Sequence, residues 1–371
     1  MIKITLKPQW TFHDDQATQY SLTGLIALCA GIHETQSLSV ASRQLGLSYR
    51  HTWGLIRDAT RIFGAPVATL QQGRGAKLTA LGEKLLWADR RINARLTPLL
   101  DTLASELEAD LARELAHTSG IVRMNASHGF AIEALREQLI ERGIPVELKY
   151  VGSQEAVASL TQAECDLAGF HVPLGALQVA ALPLYAAWLK LPGYALIHLA
   201  TRQQGLMVAP NNPKRIRGLQ DLTRKGIRFI NRQAGSGTRV LLDLLIAREK
   251  IDRKAIQGYE VSEFTHAAIA AYVASGMADV GFGVETGARR FHLDFIPVAS
   301  ERYFLMCRED RLDSKPIADV VSVLRSDAFL ARVNALTGYN ATDCGRVINI
   351  KQAFPSLIET TAKKSKSRST N

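Results

Sequence analysis

The hydrophobic period of this chain changes near residue 120, and that change limits the fold more than any other feature. Before it, apolar residues recur at three- and four-residue steps, the spacing of helix faces. After it, short apolar runs alternate with helical stretches across glycine-bearing turns. That alternation builds parallel strands covered by helices. One ordinary core does not extend over 371 residues, so the two regimes read as separate domains.

The helical part carries a finer pattern. Leu22, Leu25, Ile26 and Leu28 line one helix, and Ser37–Leu45 forms a short second one. Gly46 supplies the left-handed residue that ends it, and Ser48 is a natural N-cap for a third helix, Tyr49 to about Phe63. That helix is expected to bury Trp53 and Ile56, with Thr60 beside them, and to turn Arg50, His51, Gly54, Arg57 and Arg61 outward. Two short helices joined by such a turn are a helix-turn-helix, whose second member enters the DNA major groove. Pro66–Leu70 and Ala76–Thr79 flank Gln71-Gln72-Gly73-Arg74-Gly75, a hairpin with a basic, glycine-rich tip that acts as a wing. A long helix follows to about His117, with Leu85, Ile92, Leu96, Leu99, Leu103, Leu107, Leu111 and Leu115 as one stripe suited to dimer formation. Pro98 is expected to kink or restart it, with Thr97 as a cap.

Charge supports the same division. The chain carries +10 overall, and residues 43–95 hold ten basic residues against Asp58, Glu83 and Asp89. A local basic excess is the footprint of a polyanion-binding surface. Cys29, Cys165, Cys307 and Cys344 lie far apart and suggest buried thiols, with no metal site and no disulfide framework. No run reaches the length of a membrane span, and the start lacks a signal-peptide core. We therefore expect a cytoplasmic protein with no membrane association.

Beyond Gly120 the strands are read at Ile121–Asn125, Val146–Tyr150, Asp166–Phe170, Gly205–Ala209, Ile227–Asn231, Gln257–Val261, Asp279–Gly283, Leu293–Val298 and Tyr303–Cys307. Helices are read at Phe130–Glu141, Gln154–Gln162, Gly218–Arg224, Thr238–Lys250 and His266–Ser275. Strand–loop–helix units present free backbone N–H groups and a positive helix end, which together make an anion site. Three tips stand out: Ser127-His128, Ser153, and Gly235-Ser236-Gly237-Thr238 with Arg232 and Arg239 nearby. Thr265, Glu285 and Tyr303 lie on further cleft-facing loops or a crossover, as do Glu263 and His266. Neutral donors suit a tetrahedral oxyanion, whereas close use of an arginine suits a carboxylate or phosphate. Ser236 is not in a nucleophile elbow and no acid–His pair is assignable to it, so no catalytic residues and no enzyme are expected.

The segments Leu45-Gly46-Leu47-Ser48-Tyr49-Arg50-His51-Thr52-Trp53 and Gly75–Gly82 resemble the N-terminal domain of ModE-like regulators and, more loosely, of LysR-like regulators. Asn125–His128, Asn231–Arg239 and Ala278–Gly283 resemble type 2 periplasmic-binding-protein folds, in the molybdate-binding-like branch fused to a helix-turn-helix. The fold expected is α/β with an all-α/winged-helix N-terminal domain. It comprises a winged helix-turn-helix at 1–82, a linker helix at 83–118, a two-lobed ligand-binding domain at 119–355 and a basic, disordered tail at 356–371.

The resemblance implies a transcription regulator that binds an inverted-repeat operator in double-stranded DNA as a homodimer or tetramer. Arg43, Ser48, Tyr49, Arg50, His51, Arg57, Arg74 and Lys77 are its expected DNA-binding residues. It also implies a small-anion effector, molybdate or tungstate, and no cofactor. The alternative is a LysR-type regulator of a small organic anion or cofactor-related metabolite. An anion-transport component or an enzyme on this fold stands behind both.

Overall fold

The computed structural model describes residues 3–13, 19–71, 75–116, 120–355 and 357. Arg74 and the tail from 358 lie outside them. Contacts divide the chain into Lys7–Ala94 and a larger unit of Met1–Leu6 with Arg95–Asn371. The boundary therefore falls inside the long helix, not at residues 82 and 118, because its two ends pack on different cores.

The smaller unit pairs β1 (Thr11–His13) with β2 (Gln19–Ser21), then runs through α1 (Thr23–Thr35), α2 (Leu38–Gln44) and α3 (Tyr49–Phe63). Ser37 Oγ accepts from Val40 N to start α2, and Ser48 Oγ accepts from His51 N to start α3. Between them Gly46 sits at φ +66°, the left-handed turn residue. A hydroxyl pair, Ser42 Oγ and Thr52 Oγ1 at 2.9 Å, joins the two helices in the interior. Leu25, Leu28, Ile32, Leu38 and Ile56 make the core with Val67 and Leu86. A hairpin, β3 (Ala68–Gln71) against β4 (Gly75–Leu78), closes the unit.

Helix α4 (Ala80–Ala116) runs without a break through Pro98, so the proline does not restart it. In the larger unit its residues serve an edge strand. Ser105 Oγ accepts from Leu148 N at 2.8 Å and donates to Val146 O at 3.3 Å, and Thr102 Oγ1 accepts from Tyr150 N at 3.2 Å. Those backbone groups belong to β6 (Val146–Tyr150), which ends the sheet. A buried strand edge needs partners for its polar groups, and here helix side chains supply them.

The rest of this unit comprises, in chain order, β5 (Val122–Ala126), α5 (Phe130–Glu141), β6, α6 (Ser153–Thr161), β7 (Leu167–Pro173), the short α7 (Ala176–Ala181) and α8 (Ala186–Leu189), and β8 (Tyr194–Val208). Then come β9 (Phe229–Arg232), α9 (Gly237–Arg248), β10 (Ser262–Glu263), α10 (His266–Ala274), β11 (Val280–Val284), α11 (Glu285–Arg290) and β12 (Asp294–Arg308). Helices α12 (Lys315–Leu324) and α13 (Asp327–Asn334) and strands β13 (Tyr339–Asn340) and β14 (Val347–Asn349) follow. The main strand order is β10-β9-β11-β8-β12-β7-β5-β6.

β8 and β12 are single strands of 15 residues each, paired antiparallel along their length. The sequence reading covers only the C-terminal end of β8 and splits β12 into Leu293–Val298 and Tyr303–Cys307, because polar residues interrupt both strands at mid-length. Their two ends belong to different lobes. In one, β5, β6 and β7 are parallel and helices cover both faces of the sheet. In the other, β9, β10 and β11 are parallel and likewise covered. The expected strand at Gln257–Val261 is instead a turn leading into the two-residue β10, and Gly218–Arg224 contains a 3-10 turn in place of an α-helix.

Replacing Ser105 with alanine strands the Val146 carbonyl and Leu148 N–H in a buried setting, a cost of about 1–3 kcal/mol. Urea titration is expected to show that loss. An unchanged midpoint would mean the β6 edge finds other partners.

Candidate functional site

Parallel strands point their carboxyl ends at the cleft between the lobes, the usual ligand position in open α/β sheets. Ser127 follows β5 and His171 lies on β7; Arg232 ends β9 and His266 opens α10. The lobes meet there. A side chain on Gly237, the first residue of α9, would bring its Cβ 3.4 Å from Ser153 Oγ and 3.7 Å from His171 Cβ. Those are ordinary van der Waals distances, so the start of α9 lies against Ser153 of α6 and His171 of β7.

The floor is made where β8 and β12 cross between lobes. Arg202 and Glu301 are in register on these strands and pair at 2.6 Å, 2% and 1% exposed. Gln204 Nε2 donates to Glu301 Oε1 at 2.8 Å and to Thr238 Oγ1 at 2.9 Å, tying the hinge to α9. Tyr303 stacks on His171 with centroids 3.8 Å apart, and its hydroxyl donates to Ser127 O at 2.7 Å.

Gln204 Oε1 in this floor is buried without a partner, and several donors above it are unpaired as well. Arg232 is 5% exposed, and neither its Nε nor its Nη1 has a hydrogen-bond partner. Burial lowers its pKa to about 9; Arg202 pushes the same way and Glu301 opposes. Burial and the two arginines hold His171 and His266 well below the usual histidine range, so both rings are neutral. Val284 N donates to His266 Nδ1 at 3.4 Å, which leaves the proton on Nε2, a buried atom with no partner. Ser127 Oγ lies 2.9 Å from His171 Nδ1, and His171 Nε2 is likewise buried and unpaired. Glu301 is the carboxylate that acts on both Arg202 and Arg232, and its Oε1 is taken by Arg202 and Gln204. A buried, unpaired guanidinium is costly, and an anion is the partner that relieves it.

The expected residues divide accordingly. Ser127, Ser153, Arg232, Gly237, Thr238 and Tyr303 come together at the cleft. His128 stands beside it, its Nε2 2.9 Å from Glu133 Oε1. Gly235, at φ +82°, and Ser236, capping α9 by accepting from Arg239 N, shape the loop. Thr265 likewise caps α10 by accepting from Ala268 N. Two expectations are corrected. Arg239 turns away: its guanidinium donates to Asp243 Oδ1 and to the Arg232 and Tyr259 carbonyls, and covers the Tyr259 ring at 4.2 Å. Glu285 is held by Arg289 one helical turn on. Arg202, Gln204, Glu301 and His171 were not picked out. The available signal was a polar interruption, Thr201-Arg202-Gln203-Gln204, within an otherwise apolar strand.

On the smaller unit, Tyr49, Arg50, His51 and Arg57 are exposed on α3, with Arg43 and Lys77 exposed nearby. Ser48 is spent as the α3 cap. Trp53 is a correction: it is 43% exposed and lies edge-on to Tyr49, while Thr52, Ile56 and Ala59 take the buried face. Arg74 lies outside the described residues.

Arg232→Met removes an unpaired buried charge, so stability without anion is expected to rise, on the order of 1–4 kcal/mol. Anion affinity is expected to fall about a hundredfold. Unaltered affinity in the variant, read by calorimetry, would remove Arg232 from the site.

Comparison with known proteins places these elements in context. YvgK of Bacillus subtilis, an uncharacterized protein, is 33% identical over 200 residues, covering 54% of this chain and 64% of YvgK. The molybdenum-pterin-binding protein MopB of Rhodobacter capsulatus is 31% identical over 140 residues, covering 37% of this chain and 51% of MopB. The chain thus spans less than two thirds of both relatives. A hydrogen-peroxide-bound OxyR mutant of Corynebacterium glutamicum superimposes at a TM-score of 0.43 and 14% identity, covering 84% of this chain and 93% of that one. Among the described residues no helix is long and apolar enough to cross a membrane. The model of the PBP superfamily domain matches residues 132–325, over half the chain and both sides of the cleft; the protein belongs to that superfamily.

Proposed function

We propose that this protein is a ligand-responsive, DNA-binding transcription regulator whose interlobe cleft senses a small anion. The observation that carries the sensing half is Arg232, buried, charged at neutral pH and lacking partners at Nε and Nη1. His266 adds a neutral N–H donor at Nε2, His171 adds a neutral ring, and the N-terminus of α9 adds backbone N–H groups. Full use of a guanidinium favours a carboxylate or phosphate over a tetrahedral metal oxyanion, which neutral donors serve well. Molybdate or tungstate remains the second reading, favoured by the likeness to MopB.

The DNA-binding half rests on the winged helix-turn-helix reading of the smaller unit. Helix α3 is capped, follows the Gly46 turn and carries Tyr49, Arg50, His51 and Arg57 on its exposed face. Arg50, His51 and Arg57 face bases or phosphates, and Arg43 positions the unit on the backbone. Helix α4 provides the homodimer contact. Leu99, Leu103 and Leu107 are 56%, 45% and 44% exposed along one ridge, while Thr102, Ser105 and Glu108 are buried on the other side. A leucine ridge of that period pairs with a second copy of itself.

Three measurements bear on this reading. Calorimetry with phosphate, short dicarboxylates, sulfate, molybdate and tungstate ranks the anions, and no binding by any of them removes the sensing half. Selection from genomic promoter fragments is expected to yield a sequence-selective complex. Arg57→Ala should lower the salt slope of its affinity by about one. Absence of any selective complex, with or without anion, removes the DNA-binding half. Leu103→Glu is expected to turn a dimer into a monomer in sedimentation while leaving anion binding intact, and an unaffected dimer would place the interface elsewhere.

A further inference from the structure

A second cavity lies beside the anion cluster and has chemistry of the opposite kind. It measures about 620 Å³, a size suited to a small-molecule group, and α4, the end of β6, and β10 with its flanking residues form its walls. Pro98 and Leu99 of α4 and the aromatic rings of Tyr150 and Phe264 line it. Glu263 also lines it and is 3% exposed. Its Oε2 accepts from Arg95 Nε at 2.6 Å, but its Oε1 is buried and has no partner. A buried carboxylate oxygen without a donor is as costly as a buried donor without an acceptor. One donor from a ligand relieves it.

Which donor fits is decided by the surroundings. Arg95 and Lys149 stand at the same cavity. Two cations at its wall repel a fully charged ammonium, so a neutral N–H is favoured. Aromatic and apolar walls favour a flat ring that stacks or slides between them. Arg232 and Glu263 are in-register partners on β9 and β10, and the next residue, Gln233, lines this cavity. One elongated molecule therefore has acceptors for its N–H groups at one end and donors for its anion at the other.

The geometry points to a two-ended effector: a planar nitrogen heterocycle with an exocyclic amino group, bound by Glu263 in this cavity and carrying a phosphate or carboxylate that reaches Arg232. This rests on the anion-sensing reading above and adds the identity of the other end. It also gives α4 a direct part in sensing, because Glu263 holds the helix through Arg95 while its second oxygen holds the ligand.

The test is calorimetry on the full chain with inorganic phosphate, with the guanosine, adenosine and cytidine 5′-monophosphates, with their nucleosides, and with pterin-6-carboxylate. At least one ring-bearing anion is expected to bind about tenfold or more tightly than phosphate. Glu263→Gln should erase that gain while phosphate affinity stays within about threefold. Ser262→Trp, which fills the cavity from an exposed strand position, should erase it too, and it serves if Glu263→Gln does not fold. Phosphate binding that depends on Arg232, with no gain from any ring, overturns the two-ended ligand and leaves the anion site standing. A gain that survives both variants also overturns it. No binding by phosphate or any ring-bearing anion overturns both readings.

Discussion

Two long antiparallel strands hold the larger unit together, and the Arg202–Glu301 pair lies where they pass from one lobe to the other. Each partner is nearly fully enclosed, so neither charge is tolerable without the other; breaking such a pair costs several kcal/mol. Gln204 extends the pair to Thr238 at the start of α9, and the Tyr339 hydroxyl accepts from Arg202 Nη1 at 3.4 Å. The hinge is therefore a polar network closed except at Gln204 Oε1, and Arg232 keeps unpaired atoms above it. Glu301 is already spent on Arg202 and Gln204, and Arg232 Nε and Nη1 stay without a hydrogen-bond partner.

That imbalance organises the cleft. Burial and the neighbouring guanidiniums keep His171 and His266 neutral, so neither adds repulsion, and His266 offers an N–H at Nε2. The start of α9 at Gly237 lies against Ser153 and His171 of the other lobe, so donors from both converge. An arrangement of this type binds most strongly when the lobes are together, and a ligand shifts a conformational balance only through such a difference in affinity. Beside it, Glu263 lines an outer cavity and also holds α4 through Arg95.

Much of this was legible from residues alone. The change of period at residue 120, the Ser48 cap, the Gly46 turn and the exposed bases of α3 follow from local rules of sterics and hydrogen bonding. So do Ser127, Ser153, Arg232 and the Gly235–Thr238 loop as cleft residues, since each ends a strand or opens a helix. Arg239 was misplaced because nearness in sequence does not say which way a long side chain points; Asp243 and Tyr259 draw it outward. Trp53 was misplaced because its apolar area suggested burial, whereas Thr52, Ile56 and Ala59 fill the space beneath α3.

The sequence by itself determined the local elements, their order and the sign of the charge on α3, because these depend on period, capping and residue type within a few positions. Tertiary structure alone decided that two polar-interrupted runs are continuous strands, that Arg202 meets Glu301 across 99 positions, and that Arg232 and Glu263 keep unpaired atoms. Such facts depend on which buried groups find partners, and a partner distant in the chain is settled only when the sheet is assembled.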